Sequence, residues 1–502
     1  MPRNRRSNER KRGFAFIYVT LVGALLLLPM AGLAVDFGVL YNVKARLQTA
    51  TDAAAIGAGY MLHATTDLSN PAQVAAIEAT AQAYFNANYP NHYFGSTVVS
   101  YSAVAASTSS GKTITVNASA TVPMLLLRVL GIQQSTIGAK AVSNVRYIAM
   151  MIVVDRSGSV VNEGAQGTIQ TALSTFVATA STSYLVDGVD TVGMISFGGT
   201  WNLDYSPSIH FQTGSPNIQT AINNIPFGNS STNTAEGLYQ AWTQLYQMNL
   251  PGSLNVIVLL TDGRPSAFTG GITPTGGTTC TNKVWRGGVL EASVSVGSYP
   301  FWPPPTSNNV TGLFAAPFVA LQETSYLAAN NSGCYYASNA GNVYKDFNGN
   351  FLGSAGPVDR VGAANPAYTN AAGTGISTQG PYYAAPGTSM TSTQAVRYAA
   401  FNVADNMATL IRSDTTLKPM IFVIGLNYSG TSEEPLDADW LARVANDPNY
   451  VTVGLNPPDP TKPAGLSVYQ NSQTPGMYCN STKATLSACF SQVTSQLLRL
   501  ML

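Results

Sequence analysis

YIAMMIVVDRSGS, residues 147–159, is an apolar run that stops at a carboxylate and continues into two hydroxyls at alternate positions. A run of this kind reads as a buried strand. Asp155, Ser157 and Ser159 then occupy the loop at its carboxyl end, where open α/β sheets present their ligand sites. Oxygen-only ligands suit the hard cations Mg2+, Ca2+ and Mn2+. Asp and Ser also cap helices, so the triplet by itself fits either role.

Two further fragments bear on the choice. NVIVLLTDG, residues 255–263, is a second apolar strand that ends in a carboxylate, Asp262, and a turn glycine, and Ser231-Thr232-Asn233-Thr234 precedes an amphipathic helix. Together the three loops resemble the metal-ion-dependent adhesion site of von Willebrand factor type A domains, in which the first loop reads Asp-x-Ser-x-Ser, the second supplies a threonine and the third an aspartate. The resemblance implies that Asp155, Ser157, Ser159, Thr232 and Asp262 form the site. By the same resemblance the two serines and Thr232 bind the metal directly and the aspartates mostly through water. An open position then takes an Asp or Glu from a protein partner, with Mg2+ as the expected ion and Ca2+ or Mn2+ as alternatives. One departure concerns the second loop, where the family usually has a glycine pair and this chain has Ser230-Ser231.

The flanking sequence alternates as a parallel α/β fold should. Ile169, Leu173, Phe176 and Val177 mark one helix, and Leu238, Trp242, Leu245 and Tyr246 mark the helix after Thr232. Thr191 to Phe197 reads as a strand and Ser208 to Gln212 as a short antiparallel edge. After the Asp262 loop the pattern lapses. Residues 264–392 are rich in Gly, Pro, Thr, Asn and Tyr, without a strong period, and read as an irregular insertion beginning beside the proposed metal face. The alternation resumes with a helix marked by Val396, Ala400, Val403, Met407 and Leu410, then a strand Met420 to Leu426. A helix follows over Pro435 to Ala445, with acidic residues favourable at its start. Tyr450 to Val453 is the expected last strand, and Leu486, Phe490, Val493 and Leu497 define a closing helix. The fold class is therefore α/β, a von Willebrand A (Rossmann-like) parallel sheet flanked by helices over residues 146–502.

The chain has 502 residues, enough for two or three domains, and a net charge of +1. Charged residues make up 10%, against roughly 25% in ordinary soluble domains. A polar but uncharged surface suits an exported protein, and the even charge balance offers no case for nucleic-acid binding. Residues 1–13 hold six Arg and Lys against Glu9, a basic cytoplasmic tail, and 14–35 carries no charge at all. At 1.5 Å per residue a helix of that length covers the roughly 30 Å hydrocarbon core. The basic flank keeps the tail inside, so the remainder lies outside the membrane. A cleaved signal peptide ending at Gly32-Leu33-Ala34 is the rival reading.

Beyond Asp36-Phe37-Gly38 the helical pattern continues through Leu40, Val43, Leu47, Ala50, Ala54 and Ile56, with Gln48 and Asp52 among small residues. This region resembles the N-terminal part of the TadG group of Tad (Flp) pilus-assembly proteins, which implies a pilin-like membrane helix joined to a periplasmic region often containing a von Willebrand A domain. After Arg12-Gly13, residues 14–18 lack the glutamate that related pseudopilins carry for peptidase processing, so incorporation as a pilin is not expected. Residues 36–145 then hold the TadG/TadE-like helix and a small α+β pilin-like module. Within it Ala72 to Asn88 reads as a helix, Ser96 to Ala105 and Lys112 to Thr121 as strands, and Met124 to Leu130 as an apolar patch of unassigned type.

Four cysteines in an exported chain allow three pairings, of which Cys280–Cys334 with Cys479–Cys489 is the simplest. His63, His92 and His210 are scattered without ligand spacing, and no nucleophile elbow, Walker loop or zinc-helix motif is present. No enzyme activity is expected. A single-pass protein of the bacterial inner membrane with a periplasmic or extracellular binding domain is the leading functional expectation, acting in Tad/Flp pilus assembly or anchoring. A surface adhesin for host or matrix ligands, or a metal-independent scaffold, are the alternatives.

Overall fold

A computed structural model describes residues 5–183, 185–199, 201–228, 232–262, 265–272, 393–428, 436–451 and 468–501, with short strands between 284 and 389. The chain divides into two compact units, residues 1–146 with 502, and 147–501.

The first unit is built on one helix, α1 (Arg5–Ala64), against which α2 (Pro71–Asn88) and a three-stranded antiparallel sheet pack. Val43, Leu47, Ala50 and Ala54 form the buried stripe of α1, as their spacing predicts. Ile56, placed in the same pattern, is exposed instead. The strands are β1 (Thr97–Thr108), β2 (Gly111–Pro123) and β3 (Gln134–Arg146), in the order β1-β2-β3. Only the first two are legible in the sequence. The inner face of β3 is made by Ala139, Ala141, Ser143 and Val145, residues too small or too polar to show the usual alternation. The apolar patch between β2 and β3 is a tight loop with a 3-10 turn, Leu127–Leu130. Its start is held by Asp36 of α1, a buried carboxylate that accepts backbone N–H bonds from Leu125 (2.8 Å), Leu126 (3.0 Å) and Leu127 (2.6 Å).

Among the described residues no helix is long and apolar enough to cross a membrane. The expected span 14–35 lies within α1, but the side chains of 14–17, 24–29 and 31 fall outside the described residues.

The second unit is a six-stranded sheet. Its strands are β4 (Ile148–Asp155), β5 (Thr191–Phe197), β6 (Trp201–Ser208), β7 (Leu254–Thr261), β8 (Met420–Leu426) and β9 (Met477–Ser481), ordered β9-β8-β7-β4-β5-β6. All neighbours are parallel except β5 and β6. β4, β5 and β7 are buried at every position, which accounts for their continuous apolar runs.

Ala149, Met151, Val153, Ile257, Leu259, Ile421 and Val423 pack beneath α6 (Thr234–Met248), α7 (Thr393–Arg412) and α8 (Ala438–Ala445). The intervening residues face the other way. On that side α4 (Gln166–Ser183) meets α9 (Leu486–Met501) through Phe176 and Phe490, ring centroids 4.7 Å apart. Two short helices, α3 (Gly158–Asn162) and α5 (Ile218–Asn223), complete the count among the described residues. The Cys479–Cys489 bridge ties β9 to α9; Cys280 and Cys334 lie outside the described residues.

Two sequence expectations need correction. The antiparallel edge is Trp201–Ser208, not Ser208 to Gln212. Residues 210–214 instead form a turn pinned by Asp187, which accepts from Gln212 N (2.8 Å) and Thr213 Oγ1 (2.6 Å). Tyr450 and Val451 are not strand, and Val451 is 81% exposed; β9 supplies the outer parallel strand. Within 264–392 the described parts include short strands, Ala267–Ile272 pairing antiparallel with Val310–Ala315, and the rest of the expected insertion lies outside the described residues.

Candidate metal-binding site

The strand order places the site. From β4 the chain proceeds to β5 on one side, whereas β7 lies on the other, so the connections diverge at the carboxyl ends of β4 and β7. That is the topological switch point at which parallel sheets form a ligand crevice. Asp155 ends β4 and Asp262 follows β7 directly. The pairing of Val154 with Leu260 sets Asp155 beside Thr261, whose Oγ1 donates to Asp155 Oδ2 at 2.6 Å.

The first loop folds over this junction. Ser157 N donates to Asp155 Oδ1 (2.9 Å), an Asx turn that points both serine hydroxyls inward. Ser157 Oγ and Ser159 Oγ are 3.1 Å apart, and Ser159 Oγ donates to Asp262 Oδ1 at 2.8 Å. Four of the five predicted residues, Asp155, Ser157, Ser159 and Asp262, are thereby joined in one hydrogen-bonded group.

Thr232 is buried and attached differently. Its N–H donates to Ser266 Oγ (3.0 Å) and its carbonyl accepts from Ser266 N (2.9 Å), which clips the second loop to the chain just after Asp262. Asn233 N donates to Gly198 O at 2.8 Å, and the Asn233 side chain caps α6 by accepting from Glu236 N. Among the described residues no hydrogen bond joins the Thr232 hydroxyl to either aspartate. The Ser230-Ser231 departure lies outside the described residues. α6 approaches the sheet closely at Gly237, where an added Cβ would stand 2.7 Å from Phe197 Cδ1.

Burial and mutual repulsion dominate the electrostatics of the two aspartates. Burial pushes Asp155 above the ordinary carboxylate value, against the lowering effect of its bonds to Ser157 and Thr261. Asp262 is raised well above it, first by burial and then by the charge of Asp155, while Ser159 and Tyr428 oppose the shift. Arg156, between Asp155 and Ser157 in sequence, donates to the Pro226 carbonyl (3.1 Å), and its charge is felt by Asp204 and, more weakly, by Asp155. Asp262 Oδ2 is buried with no hydrogen-bond partner, and Tyr428 Oη, which lies near enough to favour the charged form of Asp262, is likewise unsatisfied. An orphaned carboxylate oxygen beside hydroxyls and a second carboxylate is a donor set that fits a hard cation. Among the described residues no cluster of three His, Cys, Asp or Glu forms.

Sequence reasoning missed Thr261, Ser266 and Tyr428. Thr261 was legible in principle, since strand pairing puts the residue before Asp262 level with Asp155. Tyr428 follows β8 by two residues and approaches Asp262 because β8 adjoins β7. Lys483 stands over its ring at 5.4 Å and also donates to the Glu163 carbonyl.

Sheet, switch point and loop order define a von Willebrand factor type A domain, and that family matches residues 150–282. Residues 13–82 match the Flp pilus-assembly TadE/G-like family. The chain thus has the make-up of a TadG-like protein carrying a von Willebrand factor type A domain. Solved structures similar to it include the PilB minor pilin from Streptococcus sanguinis, at 13% identity over 82% of this chain and 80% of that one, TM-score 0.37. Others are the pilus adhesin SpaC from Lactobacillus rhamnosus GG (12% identity, 80% of this chain and 34% of that one, TM-score 0.34) and the vWF domain of the type V pili tip protein Mfa5 from Porphyromonas gingivalis (11%, 72% and 98%, TM-score 0.35). No curated protein matches the chain.

Proposed function

We propose that this chain is a membrane-anchored, extracytoplasmic binding protein of a Tad/Flp pilus apparatus that engages a protein partner through a divalent cation. Residues 14–35 of α1 form the anchor in the bacterial inner membrane, in a single pass. Ser157, Ser159 and Thr232 hold the ion directly, and Asp155 and Asp262 hold it through water. Mg2+ is the expected ion. When bound, it supplies a Lewis-acidic position that a partner Asp or Glu completes. The protein's own contribution is to fix the oxygens: Thr261 orients Asp155, Ser159 orients Asp262, and Ser266 holds the Thr232 backbone. The role is adhesive rather than enzymatic.

The buried, unpartnered Asp262 Oδ2 next to Asp155 carries this reading. Calorimetric titration of the full chain in detergent with Mg2+ or Mn2+ tests it. One saturable site that disappears in Asp155→Ala is expected; binding indifferent to that change sinks the proposal. In cells, deletion should abolish piliation, and wild type but not Asp155→Ala should restore it.

A further inference from the structure

The loop between β2 and β3 carries a feature that the cation site does not use. Met124 and Leu127 are buried in the first unit, whereas Leu125, Leu126, Val129 and Ile132 stand 53%, 47%, 83% and 49% exposed. Four large apolar side chains presented by eight residues form a concentrated patch, unlike the scattered apolar exposure normal on protein surfaces. The loop is rigid: Asp36 holds the N–H groups of Leu125, Leu126 and Leu127, Met124 N donates to Gln133 O (3.0 Å), and Ile132 N to Leu127 O (3.2 Å).

Its position along α1 indicates what covers it. Leu126 packs on Gly32, where an added Cβ would lie 2.9 Å from Leu126 Cβ. Gly32 belongs to the uncharged stretch 14–35, about 6 Å before Asp36 along the helix axis. The loop therefore reaches back beside the end of that stretch, next to Met30 and Leu33, which are also exposed. Between Lys112 and Lys140 the only charged residue is Arg128, so the loop itself brings no carboxylate or lysine to the lipid, and the Asp36 carboxylate at its base is satisfied by three backbone N–H groups. An exposed arginine in such a loop extends its head to lipid phosphates while its stem stays among apolar groups.

We infer that the 124–132 loop is a second membrane contact, inserted into the outer interface of the bilayer beside α1, with Leu125, Leu126, Val129 and Ile132 among the acyl chains. The inference rests on the proposed anchoring of 14–35 and adds a second point of attachment. Two contacts on one rigid unit fix its tilt and rotation, which one helix alone leaves free.

The test uses the full chain with benzoylphenylalanine in place of Val129, or of Val104, an exposed residue of β1, in vesicles of phosphatidylethanolamine and phosphatidylglycerol. Flotation reports anchoring, and mass spectrometry after irradiation reports what the probe has met. Flotation with lipid adducts at Val129 at least ten-fold above those at Val104 is the expected result. A chain that floats but gives equal adducts at both positions, or adducts at Val129 to a second copy of the chain, overturns the loop contact and leaves the anchor intact. A chain that fails to float overturns the anchor, and the loop contact with it.

Discussion

Two buried carboxylates, one in each unit, are treated in opposite ways. Asp36 accepts three backbone N–H bonds. Burial raises its pKa, yet the three donors outweigh that and leave it below the ordinary carboxylate value. Asp262 accepts one hydroxyl at Oδ1, has an empty Oδ2, and faces a second carboxylate, so it is raised well above that value. A carboxylate whose lone pairs are filled by its own chain is a fastener. One left short of partners by rigid surroundings is a receptor for something positive.

The largest expected effect comes from removing the second kind. Asp262→Asn should weaken Mg2+ binding more than 100-fold by calorimetry, yet raise the melting temperature of the cation-free chain by a few degrees, because it ends the repulsion with Asp155. A lower melting temperature without cation would break the contrast. Asp36→Ala should act in the opposite sense. Cation binding stays intact, while the amides of Leu125, Leu126 and Leu127 lose hydrogen-exchange protection.

A pH series sharpens the same point. The folded pKa of Asp262 lies above 3.8, so its share of cation-free stability is full below that value and is lost as pH rises through the folded pKa. Asp36 lies below 3.8, so its share is full above that value and is lost as pH falls through its folded pKa. Denaturation followed separately in each unit by hydrogen exchange should therefore show opposite trends from these two groups. Saturating Mg2+ should reverse the trend at Asp262, because the ion selects the charged form.

Smaller effects test the frame around the site. Gly237→Ala drives a methyl into Phe197 and should cost about 1–3 kcal/mol in denaturant unfolding. Ser266→Ala leaves the Thr232 N–H without its side-chain partner and should cost about 1 kcal/mol, with Mg2+ affinity reduced only several-fold.

How far sequence could lead differs between elements for physical reasons. β4, β5 and β7 are central strands buried on both faces, and α4, α6 and α9 each bury one stripe, so their composition announces them. β6 is an edge strand containing Asn202, Asp204 and Pro207, and β9 has five residues, one of them Asn480. Both draw their definition from the neighbouring strand rather than from their own pattern. The same division runs through the site. Asp155, Ser157, Ser159 and Asp262 announce themselves by spacing, whereas Thr261, Ser266 and Tyr428 acquire a role only when β4, β7 and β8 lie side by side.

Ser266 has a mechanical consequence. It bonds both the N–H and the carbonyl of Thr232, and the strand Ala267–Ile272 begins at the next residue. A displacement of that strand's first residue is therefore passed to the Thr232 backbone through two hydrogen bonds of 3.0 and 2.9 Å. The position of the second loop thus depends on a single serine, which holds both backbone polar groups of one residue.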